Sequence, residues 1–178
     1  MTKLIRLLVA CGILWPLIAV GDQRTLIESA ALVASGAAVS LAVHEASHEL
    51  AGLALGDHIE WKGSDWTVWE PHHRHVQVIA GAGFVAQAVL TEGVMDLLSP
   101  SNPFRLGAGG FYVVNSVQYM TRSWLAPDGY GDFSNFSVRD RAVINGILGA
   151  HVLVTCVRLM WPAALPAFIR GGGVQWEW

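Results

Sequence analysis

Residues 44–50 read HEASHEL, within the longer run AVSLAVHEASHELAGLALG at residues 38–56. Two histidines and two glutamates sit in the middle of a stretch that otherwise suits lipid. Ionisable groups are costly at membrane depth and, where they occur, mark functional positions. On a helix, residues four apart lie about 40° apart around the axis, so His44 and His48 project side by side. Two questions follow: whether the surrounding chain is a membrane protein, and what else reaches the two imidazoles.

Composition answers the first. Of 178 residues, 53% are hydrophobic and only 14% are charged, with a mean hydropathy of +0.42. Soluble domains carry about 25% charged residues, so the deficit points to the bilayer. The net charge of -3 and the lack of a basic stripe exclude a nucleic-acid partner. Eight tryptophans mostly lie near the ends of apolar runs, where interfacial belts form. Cys11 and Cys156 fall within apolar runs without CxxC spacing, which suits inert buried thiols and neither a disulfide framework nor a thiolate metal site.

Five apolar segments can be drawn, at about 7–20, 26–56, 76–98, 106–120 and 142–160. The expected fold is all-α: a polytopic membrane helix bundle of about four to five transmembrane helices, a single domain over residues 1–178. Residues 1–21 are either a first transmembrane helix or a cleaved signal peptide, because Ala19-Val20-Gly21 resembles a processing site. The second segment exceeds the ~30 Å hydrocarbon core and must tilt or protrude. The fourth is short and glycine-rich (LGAGGFYVV), suited to close helix packing. Alternation around Ile59 to Val68 fits a small hairpin, and residues 161–178 form an interfacial tail.

With the N-terminus inside, Lys3, Arg6, Lys62, Arg74, Arg122, Arg139 and Arg141 are cytoplasmic, against Arg24, Arg105 and Arg170 outside. That bias places the histidines of the second segment toward the cytoplasmic side of a multi-pass protein, expected in a bacterial cell membrane.

His44-Glu45-Ala46-Ser47-His48 fits H-E-x-x-H. Both histidines can reach one metal ion, and Glu45 stands beside them as a general base. Zinc at such a site brings water's pKa toward neutrality while the glutamate takes the proton. One zinc ion is the expected cofactor, since histidine and carboxylate ligands on this motif favour it over other divalent metals. The bland alternative is a buried polar cluster that satisfies itself, an expensive feature in an apolar helix.

A catalytic zinc site normally has three protein ligands. Candidates for the third are Asp132, Asp128, Glu92 and the histidines of HHRH at residues 72–75. Glu92 lies toward the opposite face; in straight helices it would differ from the histidines by roughly 10–15 Å in depth. The aspartates of APDGYGDFSNF share the histidines' side, and a glycine-rich turn can carry a carboxylate into a protein cavity. Pro127-Asp128-Gly129 looks like an ordinary turn, so Asp132 is preferred. The HHRH cluster reads as a solvated interfacial patch, and His151 as a hydrogen-bonded packing residue. Asn115 and Gln118 suit interhelical hydrogen bonds; the sharper role for Asn115 is donation to a developing oxyanion.

HEASHELAGLALG, VIAGAGFVAQAVL and PDGYGDF together resemble the site-2 protease-like intramembrane zinc metalloproteases over about residues 30–150. The resemblance implies His44 and His48 as zinc ligands, Glu45 as general base, and Asp132 or Asp128 as third ligand. It implies hydrolysis of a peptide bond in or near a membrane-embedded protein or peptide substrate, with the lipid bilayer as surroundings. The family's Leu-Asp-Gly signature is not reproduced and no PDZ-sized insertion fits, which marks a minimal or divergent member. A competing expectation is a non-proteolytic metal-binding regulator or chaperone of the same architecture. A third is a soluble-facing hydrolase, against which the segment lengths argue.

Overall fold

A computed structural model describes residues 25–62, 65–68, 73–126 and 131–161, with no side-chain description for residues 61–74. Within these bounds the chain forms four long helices: α1 (Leu26–Leu55), α2 (His73–Leu97), α3 (Pro103–Leu125) and α4 (Val138–Met160). The first apolar segment, the tail beyond Trp161 and Asp128 lie outside the described residues.

Local sequence explains where the helices begin. Thr25 caps α1 in a reciprocal capping box with Glu28: the Glu28 N–H donates to Thr25 Oγ1 and the Thr25 N–H to Glu28 Oε2. Asn102 caps α3, accepting from the Phe104 N–H at 3.0 Å, with Pro103 following in the first turn. These signals start α3 three residues before the apolar run expected at 106–120. Ser137 caps α4, accepting from the Asp140 N–H at 3.2 Å. Between α1 and α2 the expected hairpin forms from β1 (Ile59–Lys62) and β2 (Asp65–Val68), antiparallel, with Ile59 opposite Val68 and Lys62 opposite Asp65.

The distribution of residues on α1 is inverted relative to a water-soluble helix. Its buried positions are Ser29, Gly36, Ser40, His44, His48 and Gly52, whereas Leu26, Ile27, Val39, Leu41, Leu50 and Leu53 are exposed. Small and polar side chains face the protein and large aliphatic ones face outward, as expected where the surroundings are hydrocarbon. Exposed Val78, Val85 and Val89 on α2 and Val143, Ile147 and Leu153 on α4 extend the same pattern. Three helices, α1, residues His75–Leu97 of α2, and α4, are long and apolar enough to cross a membrane. α3, which carries Arg105, Asn115, Gln118 and Arg122, is not in that group.

α3 packs against each of the other helices. It approaches α1 so closely that a side-chain carbon on Gly107 would collide with the Val33 carbonyl. This is the packing expected of the LGAGG run. A compact hydrophobic cluster of Phe84, Phe133 and Leu148, flanked by Tyr119, Met120, Phe136 and Ile144, joins α2, α3, α4 and the short 3-10 helix Gly131–Asn135. That cluster forms the floor on which the site is built.

Candidate metal centre

α1 brings His44 and His48 to its buried face, each 1% exposed, with ring centroids 5.0 Å apart. The 3-10 helix delivers Asp132, also buried, directly to them. Asp132 Oδ2 lies 3.2 Å from His44 Nε2 and 3.5 Å from His48 Nε2. One ligand atom from each of the three residues falls within 4.8 Å of the others. Ligands about 2.0–2.1 Å from a tetrahedral zinc are separated by roughly 3.4 Å, so the two measured spacings suit a shared ion.

Proton accounting strengthens the case. His48 Nδ1 lies 2.7 Å from the Ile79 carbonyl oxygen. A carbonyl only accepts, so Nδ1 carries the hydrogen, and the Nε2 of a neutral His48 is bare. That nitrogen faces the buried Asp132 carboxylate, another acceptor. Two lone pairs so placed suit a shared cation, while His44 Nε2, 3.2 Å from the same oxygen, can supply a hydrogen when no cation is there. The His48–carbonyl bond is also the orientation device that metal-binding histidines use. His44 Nδ1 is buried without a hydrogen-bond partner, so His44 contributes its Nε2 alone to the group.

The walls leave little freedom. Gly83 of α2 backs both imidazoles: a Cβ there would lie 2.8 Å from His44 Cε1 and 2.8 Å from His48 Nε2. Phe84 meets His44 edge-on at 5.1 Å, and Tyr119 lies 6.1 Å from the same ring. Gly131, with φ of +53°, turns the chain into the 3-10 helix, and its α-carbon lies against the Tyr119 ring, where a side chain would collide. Asn135 Nδ2 donates to the Asp132 carbonyl at 3.3 Å, and fully buried Phe133 pins the turn into the hydrophobic cluster. Glu45 is half-buried and, among the described residues, makes no hydrogen bond or ion pair, leaving its carboxylate available.

The other candidates are placed elsewhere. Glu92 does not join the histidines; it pairs with His151 Nε2 at 2.9 Å and with Arg158. It stands nine residues beyond Gly83 on the same helix, about 13 Å along the axis, in keeping with the depth argument. Asn115 donates to Gln87 Oε1 at 3.1 Å, and Gln87 donates to Ser40 Oγ at 2.9 Å, forming an interhelical chain one turn from His44. His151 is hydrogen-bonded on both nitrogens, as its packing role requires. Of the histidine patch, His75 pairs with Asp57 at 2.8 Å; the side chains of His72 and His73 are outside the description. Sequence reasoning did not single out Gly83, Tyr119 or the Ile79 carbonyl. Nothing in VIAGAGFV separates Gly83 from Gly81, and a backbone acceptor leaves no trace in a sequence.

A scan of protein-family models, and searches of curated proteins and of solved structures, found no match to this chain.

Proposed function

We propose that this chain is a zinc-dependent intramembrane endopeptidase, similar to the site-2 protease class, that hydrolyses a peptide bond in or near a membrane-embedded substrate. The observation that carries the reading is the buried grouping of His44, His48 and Asp132, with one ligand atom from each within 4.8 Å of the others, beside an available Glu45. His44, His48 and Asp132 would hold the ion, leaving the fourth position open as catalytic sites require. Zinc, when bound, supplies the Lewis acidity that makes water a nucleophile near neutral pH. Glu45 then takes the proton of the attacking water and returns it to the leaving amine. One N–H of the Asn115 amide is committed to Gln87, so the oxyanion role expected of Asn115 rests on its second N–H.

The membrane reading goes further than three apolar helices. We infer that α3 also spans the bilayer, packed against α1, α2 and α4, with Arg105 buried and Asn115 half-buried against protein and the exposed Gln118 and Arg122 toward its C-terminal end. The first apolar segment would then be a fifth crossing or a processed leader. The lysine and arginine bias argues for a cytoplasmic-facing site.

The test has two parts. The first is metal content per chain of detergent-purified wild type, His44→Ala, Asp132→Ala and Glu92→Ala. About one zinc in wild type, lost in the first two variants and kept in the third, is expected. The second is cleavage of a mixed peptide pool and of detergent-solubilised transmembrane peptides, read by mass spectrometry against Glu45→Gln. Wild type without metal would overturn the site. Metal retained with no Glu45-dependent cleavage of any peptide would overturn the peptidase and leave a metal-binding membrane protein.

A further inference from the structure

A layer of neutral polar side chains lies one helical turn from the candidate metal centre, and three helices contribute to it. Ser40 stands one turn before His44 on α1, Gln87 one turn after Gly83 on α2, and Asn115 one turn before Tyr119 on α3. Gly83 backs both imidazoles, and the Tyr119 ring lies 6.1 Å from that of His44. Each member of the layer is thus four residues from the metal layer, about 6 Å of helix. All three displacements point the same way, because α1 and α3 run toward the end that carries Asp132 and α2 runs away from it.

Hydrogen bonds join the layer. Gln87 Nε2 donates to Ser40 Oγ at 2.9 Å, and Gln87 Oε1 accepts from Asn115 Nδ2 at 3.1 Å. Ser40 and Gln87 are fully buried, and both ends of the Gln87 amide are committed to neighbours. Asn115 differs. It is half-buried, and among the described residues its second N–H and its carbonyl oxygen are not engaged. One N–H beside one carbonyl is the complement of a peptide unit, which presents one of each. A substrate segment opened out of its helix within the bilayer needs such partners, because no water is there to satisfy its backbone.

We propose that Asn115 holds one peptide unit of an extended substrate segment, and that Gln87 is the positioning residue that aims the Asn115 amide, roles that rest on the peptidase reading of the metal centre. An extended chain advances about 3.3 Å per residue, so the offset of about 6 Å puts the held unit about two residues from the bond being cut. The Cα–Cβ bond of a helical residue tilts toward the helix N-terminus, which on α3 leads away from the metal layer. The second N–H of Asn115 is therefore better placed for this unit than for the oxyanion. Ser40 and Gln87 touch no substrate; they fix the rotamer of the residue that does.

The test reads binding apart from chemistry. Full-length Glu45→Gln with zinc, in detergent micelles, is titrated with a fluorescent transmembrane peptide of about 20 apolar residues whose central Gly-Gly lets it open. Adding Asn115→Ala should weaken binding about tenfold, as two lost hydrogen bonds predict. Gln87→Met should weaken it comparably and add nothing to Asn115→Ala, whereas Gln87→Glu, which still offers Asn115 an acceptor, should bind like the parent. Methylating the peptide nitrogens one at a time keeps protein folding out of the result: one position should lose affinity in the parent and lose none in Asn115→Ala. No binding by the parent, equal binding by Asn115→Ala, no such methylation position, or additive losses with Gln87→Met would overturn the proposal. Asn115-dependent binding without Glu45-dependent cleavage in wild type would support the holding role and overturn the peptidase alone.

Discussion

The Nδ1 of His48 donates to the carbonyl of Ile79 at 2.7 Å, and this bond decides the electrostatics of the candidate metal centre. With that hydrogen committed, the Nε2 of a neutral His48 and the Asp132 carboxylate oppose each other as acceptors. If the proposed zinc site is right, removing zinc should destabilise the fold. Wild type with zinc at a hundred times its dissociation constant should gain about 2.7 kcal/mol over chelated protein, read as a rise in Tm. In Asp132→Ala, chelator and zinc should give the same Tm.

Gly83 tests how closely α2 must back the imidazoles. A Cβ there would lie 2.8 Å from both rings, whereas one on Gly93 of the same helix meets nothing within 4 Å. Gly83→Ala should cost about 1–3 kcal/mol as overpacking and weaken zinc binding roughly 10- to 100-fold, the range for a disturbed supporting shell. Gly93→Ala should leave zinc affinity unchanged and stabilise α2 by up to about 1 kcal/mol. Equal zinc affinity in both variants would remove the backing role from Gly83.

Spacing and depth account for the arrangement the structure shows. H-E-x-x-H sets His44 and His48 on one face whatever the tertiary context, and the 1.5 Å rise per residue kept Glu92 away from them. The grouping of Asp132 with the histidines was legible because its turn lies at the same end of the helices. Contacts that run through backbone atoms or through the absence of a side chain were not legible: the Ile79 carbonyl and Gly83. The pairing of Glu92 with His151 and Arg158 joins residues 59 and 66 positions apart. No local pattern announces such a pair. The extra turn at the start of α3 was written in Asn102-Pro103, a capping signal that an apolar-run boundary overlooks.

Gly131 is expected to be irreplaceable for two separate reasons. Its φ of +53° costs a side-chain-bearing residue about 1–2 kcal/mol, and a Cβ would meet the Tyr119 ring at 2.9 Å. Gly131→Ala should lower Tm and shift Asp132, so zinc binding should fall along with stability. Pairing it with Tyr119→Leu, which relieves the collision and leaves the backbone cost, should recover part of the loss. A double variant no better than Gly131→Ala alone would assign the whole effect to the backbone.

The outward aliphatic surface tests the membrane reading. Val85 and Ile147 are 65% and 66% exposed and lie at the middle of α2 and α4. In water, Val85→Lys or Ile147→Lys would change stability by no more than about 0.5 kcal/mol. In a bilayer, each lysine at mid-helix costs about 2.5–3.5 kcal/mol of insertion. Both variants should therefore lose membrane-integrated protein after alkaline extraction. Leu53→Lys, near the end of α1, should not, because a long cationic side chain there reaches the interface.

For the proposed peptidase, Glu45 is the position that would separate catalysis from metal binding. It neighbours His44 on α1 yet makes no bond that holds the site together among the described residues. Glu45→Gln preserves size and leaves the proposed ligands His44, His48 and Asp132 intact, so zinc content and Tm should match wild type. Its amide cannot take a proton from water, and loss of a positioned general base costs about 10²- to 10⁴-fold. Peptide cleavage by the purified protein should fall by that factor at every pH tested. Glu45→Asp keeps the carboxylate but draws it back by one methylene, and should recover part of the rate. Cleavage unchanged in Glu45→Gln would mean that the activity comes from another group. Cleavage lost together with zinc would make Glu45 a structural partner of the ion.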